Sequence, residues 1–192
     1  MNTDQRGHIM QRRQFLKVSV MGAAVGITSA SAIWLSQGND PEQLTITALL
    51  AKLNQLTMLS TEQLAHLSHG EWNSAEVFAH CAQSVEFSMS GFPEHKSALF
   101  KQTVGALAFT AFATKGVMSH NLAEPIPAAP KLDRNLDVNL ALARLIQSLT
   151  DFQQYQAEFA PHFAYGELNK ADYELAHVLH FYNHQQSFTK MS

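Results

Sequence analysis

From about Pro41 onward the chain repeats one pattern: apolar residues return every three or four positions, and no stretch alternates apolar with polar as a strand would. That periodicity restricts the fold to helices packed through their apolar stripes. Thr45 to Leu59 carries Ile46, Leu49, Leu50, Leu53 and Leu56 on one side, and Ser60 to Gly70 reads as a turn or short helix. Asn73 offers an N-cap for a helix from Ser74 to about Ser90, stopped by Gly91 to Pro93. Ser97 to Lys115, rich in Leu, Phe and Ala, ends at Gly116 as a C-cap, and its composition assigns it, with Trp72, to the core. Three prolines in "EPIPAAP" keep Val117 to Asn135 out of regular helix. Asp137 to about Ala157 sets Leu140, Leu145, Ile146, Leu149 and Phe152 on a core face. Asn169 caps the last helix, with Asp172 three positions on, close to a capping box. Five helical segments, one of them ancillary, predict an all-α four-helix bundle.

The last helix carries a second message. "AHVLHFYNHQQSF", Ala176 to Phe188, holds three of the ten histidines and no Asp, Glu, Lys or Arg. At 100° per residue His177, His180 and His184 fall within about 60° of one another, and His180 and His184 lie one turn, roughly 6 Å, apart. The opposite stripe of Leu168, Ala171, Leu175, Val178, Leu179 and Tyr182 is built to dock on a core. A solvated face carries Lys or Glu, whereas this one is Tyr173, His177, His180, His184 and Phe188, which fits a second buried or pocket-lining face. Imidazoles at i and i+4 can both reach one ion. A third ligand must come from elsewhere, and His66, His69, His80, His95, His120 and His162 are all open to that role.

Net charge is −3, with no basic footprint for nucleic acid. The lone Cys81 excludes an intrachain disulfide framework and a thiolate zinc cluster, and reads as a buried helical cysteine. Before the bundle, "QRRQFLKVSVMGAAVGITSASA" pairs Arg12 and Arg13 ahead of Phe15, Leu16 and Lys17, then runs Gly/Ala-rich to Ala30, Ser31, Ala32. It resembles a twin-arginine export signal over residues 1–32 with an A-x-A cleavage site, followed by a linker at 33–43 and the helical domain at 44–192. Cleavage would remove Arg6, Arg12, Arg13, Lys17 and Asp4 and take the net charge to −6. The expected location is the periplasm, with the twin-arginine translocase as partner during export. If the signal is kept, Val18 to Leu35 is long enough to act as a membrane anchor.

"EWNSAEVFAHCAQSVEFSMSGFPEHKSALF", "GVMSHNLAEPIPAAPKL" and "PHFAYGELNKADYELAHVLHFYNH" together resemble the domain of unknown function 1569 family, within the DinB-like superfamily, from about Leu44 to Phe188. The resemblance implies a metal-binding DinB-like four-helix bundle in which a second-helix histidine joins an H-x-x-x-H pair on the last helix. Carried onto this chain, those ligands are His80, His180 and His184. The chain departs from the family's usual last-helix block at Asn183 and Ser187, where His and Gln are common.

Three neutral imidazoles would leave a divalent ion its charge and at least one open position, the arrangement of a catalytic site. Zinc is the default expectation, with nickel or another imidazole-friendly ion next. DinB-like relatives imply a hydrolase, isomerase or thiol-dependent transferase acting on a small molecule; the alternative is a non-catalytic exported binding or interaction module on the same bundle. The substrate and the oligomeric state, a homodimer included, stay open. His177 is a candidate pocket wall, and His120 and His162 fall in loops of the kind that form pocket lids. Glu76 and Glu86 are candidates to orient a ligand imidazole. No nucleophilic triad, phosphate loop or tandem carboxylate motif is present.

Overall fold

The computed structural model describes residues 41–188; the expected export signal, its cleavage site and the linker up to residue 40 lie outside the described residues. The elements are α1 (Ile46–Leu56), α2 (Thr61–Ala65), α3 (Ser74–Ser90), α4 (Ala98–Phe100), a π turn (Lys101–Gly105), α5 (Ala106–Lys115), α6 (Val138–Gln154) and α7 (Lys170–Gln185), after a 3-10 turn at Pro41–Gln43. Extended pairing among the described residues is confined to two isolated bridges, Ser68 with Phe188 and His162 with Gly166. No helix of the described residues is long and apolar enough to cross a membrane.

Four rods make the bundle: α1 and α3 each pack against both α6 and α7. Leu49 and Leu53 of α1, Phe78 and Ala82 of α3, Leu145 and Leu149 of α6, and Val178 and Phe181 of α7 meet in one core. Local capping fixes where the rods begin. Asn73 accepts from the Glu76 amide and the Glu76 carboxylate accepts from the Asn73 amide, both at 2.9 Å, a reciprocal capping box. Asn169 accepts from the Asp172 amide at 3.0 Å. Gly91 (φ 103°) and Gly116 (φ 65°) end α3 and α5 in the positive-φ region that the sequence reserved for them. Two ends are finished by tertiary contacts. The Ile46 amide at the start of α1 donates to Glu174 of α7 at 2.9 Å. Lys170 Nζ donates to the Gln153 and Tyr155 carbonyls at 2.9 and 2.8 Å, so α6 stops at Gln154, short of the expected Ala157.

α3 is the axial rod, buried without a break from Ser74 to Val85. That burial is why its amphipathic signal is poor: a helix enclosed on every side has no solvent face for polar residues to mark. α6 behaves conventionally, burying Val138, Ala141, Leu142, Leu145, Leu149 and Phe152, while Leu140, expected on that stripe, is 65% exposed.

The apolar segment from Ser97 to Lys115 corrects the expectation that it is core. It is a peripheral rod in three pieces, α4, the π turn and α5, with Leu99 73% and Leu107 72% exposed and only Gly105 and Phe109 buried. Composition misleads here because most of the apolar side chains face outward, and the two buried residues meet the loop before α7, Phe109 against Tyr165 at 5.5 Å and Gly105 against Ala164. At Gly105 a Cβ would fall on the Ala164 carbonyl oxygen. Gly105→Ala is therefore expected to cost about 3 kcal/mol, the upper range of overpacking effects, because the obstacle is backbone. Urea denaturation checks it, and a wild-type midpoint would overturn this account of the contact.

Candidate metal centre

His80 stands midway along α3, and His180 and His184 stand one turn apart on α7, the rod packed beside it. Their rings converge. His180 Nε2 lies 3.1 Å from His80 Nε2 and 3.1 Å from His184 Nε2, and the three donor nitrogens all fall within 4.8 Å of one another. Imidazoles bound to one ion at 2.0–2.1 Å have nitrogens roughly 2.9–3.4 Å apart, so the two short separations suit a shared cation. The chemistry agrees. Each Nε2 offers one hydrogen or one in-plane lone pair, so His180 Nε2 cannot form a full hydrogen bond with both neighbours. Three lone pairs aimed at one cation remove that conflict.

Charge on the rings themselves is suppressed. Burial holds His80 down to about 3, helped by the nearby His120 ring, and His184 down to about 2, helped by His80 and His120. Burial, then the adjoining His184 and His80, holds His180 well below its ordinary value. The trio is neutral at pH 7, so each ring carries one nitrogen lone pair able to bind a cation.

Trp72 packs against the core and also walls this site, its ring 4.8 Å from His80 and stacked at 5.9 Å on His184. His120, on the α5–α6 loop, brings its ring to 5.1 Å from both His180 and His184. Glu76 and Glu86 do not orient the ligands. Glu76 is committed to the α3 cap, and Glu86 holds Arg144 of α6 through two contacts of 2.8 and 2.6 Å. His80 Nδ1 and His184 Nδ1 are buried with no hydrogen-bond partner among the described residues.

A cavity of about 290 Å³ opens beside the trio, lined by His80 and His180 from the bundle and by loop residues that include His120, Ile126, His162 and Tyr165. Its walls are mainly apolar, with Met118, Phe100, Phe163 and Ala176 among them. His177 lines it too, and its Nε2 contacts Ser88 Oγ at 3.2 Å. Since the Ser88 hydroxyl donates to the Val85 carbonyl, His177 Nε2 donates to Ser88 and is not a ligand. His162 is locked differently. Its Nδ1 accepts from the Ala164 and Tyr165 amides at 3.1 Å each, which leaves the ring hydrogen on Nε2. Burial and the neighbouring His177 and His95 hold His162 down to about 3.

Of the histidines open to the third-ligand role, the structure joins only His80 to the α7 pair within coordinating distance. His120 and His162 are cavity walls, as their loop positions suggested. Burial pushes the Cys81 thiol up, in keeping with an inert helical cysteine. Trp72 as a wall of the trio was missed, because its contacts to His80 and His184 are set by how the α2–α3 loop crosses the end of α7.

No curated protein and no solved structure matches this chain. A family sequence description does match, over residues 38–191, a span that takes in every element above. The chain belongs to the family described as "Protein of unknown function (DUF1569)".

Proposed function

We propose that this chain is a metalloprotein in which His80, His180 and His184 hold one divalent ion, with an open side of the ion turned to the adjoining cavity. The observation that carries the reading is the meeting of three neutral Nε2 atoms, two pairs at 3.1 Å, with no carboxylate or thiolate among them. Such a set leaves the ion's charge undiminished, and a bound ion would supply Lewis-acid chemistry to whatever occupies its open side. Zinc is the default choice and nickel the next.

The residues around the trio bear on what chemistry could take place there. The mainly apolar cavity walls suit a small molecule with an apolar body and one donor atom for the ion. His162 presents a fixed Nε2–H and stays neutral at pH 7, so it can donate to a substrate oxygen without gaining charge. Together with the DinB-like resemblance of the sequence, this supports a metal-dependent hydrolase, isomerase or thiol-dependent transferase. The twin-arginine-like leader supports export to the periplasm, with the domain folded and loaded before crossing.

Metal analysis of protein purified without a histidine tag tests the reading. About one equivalent of a divalent ion is expected, removable by chelator and restored by dialysis against zinc. Protein that is folded, metal-free and unable to take up zinc, nickel or cobalt sinks it.

A further inference from the structure

We propose that His120 is a displaceable fourth nitrogen donor: its loop swings the ring onto the open side of the ion when no other ligand is there, and gives way to an incoming anionic donor. This rests on the metal reading above.

Three observations point to it. First, His120 Nδ1 lies 2.8 Å from the Asn121 carbonyl oxygen, an atom that only accepts, so the ring hydrogen sits on Nδ1 and the lone pair on Nε2. Second, that Nε2 is buried and has no hydrogen-bond partner among the described residues. A buried acceptor left unmatched is costly, and a cation beside it is a suitable partner. Third, the ring is 5.1 Å from two of the three ligand rings, although its donor atom does not belong to the group that lies within 4.8 Å. It is a neighbour of the trio that a short movement of the loop converts into a ligand.

The loop is arranged to allow that movement. Met118 on one side of His120 and Ile126 on the other are buried anchors, with the exposed Ser119 and Asn121 between them. Asn183 of α7, one residue before His184, donates to the His120 carbonyl at 3.4 Å, a long bond that holds the loop over the site without clamping it. Four imidazoles close a tetrahedral ion, so a substrate must compete with His120 for its place. A neutral imidazole on a loop loses that competition to a monodentate anion such as a thiolate or carboxylate more readily than to water. The inferred ligand class is therefore small anionic donors.

The test uses the purified chain loaded with cobalt(II), whose visible spectrum reports coordination number and donor set, and azide as the probe anion. In the wild type azide must displace His120. In His120→Ala the resting spectrum is expected to shift, azide to bind at least about tenfold more tightly, and added free imidazole to restore the wild-type spectrum. His120→Asn checks that the shift follows loss of the imidazole and not a collapsed loop, and circular dichroism confirms the fold of both variants. Cobalt that binds, with the same spectrum and azide affinity in all three proteins, overturns the fourth donor and leaves the trio standing. Cobalt that fails to bind the wild type overturns the trio and this proposal with it.

Discussion

His180→Ala is expected to abolish divalent-ion binding, lowering affinity by about a thousandfold or more, as loss of one strong ligand from a three-ligand site should. His180 is the most sensitive of the three because its Nε2 is the common neighbour, 3.1 Å from each of the others. Removing it leaves only His80 and His184 of the trio, a pair whose donor atoms lie within 4.8 Å of each other but lack the nitrogen that stands between them. Thermal unfolding provides a second reading of the same event. An ion present at a thousand times its Kd adds about 4 kcal/mol to wild-type stability, so chelator should lower the wild-type Tm and leave that of His180→Ala unchanged. His177→Ala is the control, since its Nε2 is committed to Ser88 Oγ at 3.2 Å and it should keep the ion. Calorimetric titration with zinc checks both variants, and undiminished binding by His180→Ala would remove the centre described above.

Acid unfolding is the second large effect. His162 and His177 are buried, and burial holds each down to about 3 from an ordinary 6.5. Between those values the unfolded chain takes up protons that the folded chain refuses. Stability is therefore whole above pH 6.5 and falls as the pH drops toward 3. Well below 6.5 each such group removes about 1.4 kcal/mol per pH unit, so the two together remove about 3 kcal/mol between pH 6.5 and 5. That is a large part of the 5–15 kcal/mol that a domain typically has. The trio acts in the same direction, since His80, His180 and His184 are also held below their ordinary values. Cooperative loss of helical signal is expected above pH 4. A chain with full helicity and native urea midpoint at pH 4 would falsify this view of the buried imidazoles.

Rod ends were legible in the sequence wherever the chain settles them locally. Asn73, Gly91, Gly116 and Asn169 act on backbone groups within a few residues, so side-chain chemistry alone located them. The α7 pair was legible for the same reason, because i and i+4 share a face in any helix. His80 was not. Its helix is enclosed on every side, so its angle from the apolar stripe carried no information, and only the family resemblance selected it from six candidates. His120 lay further out of reach. Its approach depends on the course of a proline-rich loop that Gln83 ties at the Pro130 carbonyl and Asn73 at the Arg134 carbonyl, contacts between distant parts of the chain. The rod from Ser97 to Lys115 failed in the opposite sense. Its Leu and Phe residues suggested depth, whereas only Gly105 and Phe109 of this rod are buried.

Trp72 gives the molecule an intrinsic optical reporter. An indole 4.8 Å from the His80 ring and stacked over His184 is close enough for a paramagnetic ion between those rings to quench its emission efficiently. Cobalt, nickel or copper should darken it, whereas zinc, with a filled d shell, should leave it bright. Emission that falls with cobalt and holds with zinc would therefore tell an open-shell occupant from a closed-shell one, with no label attached.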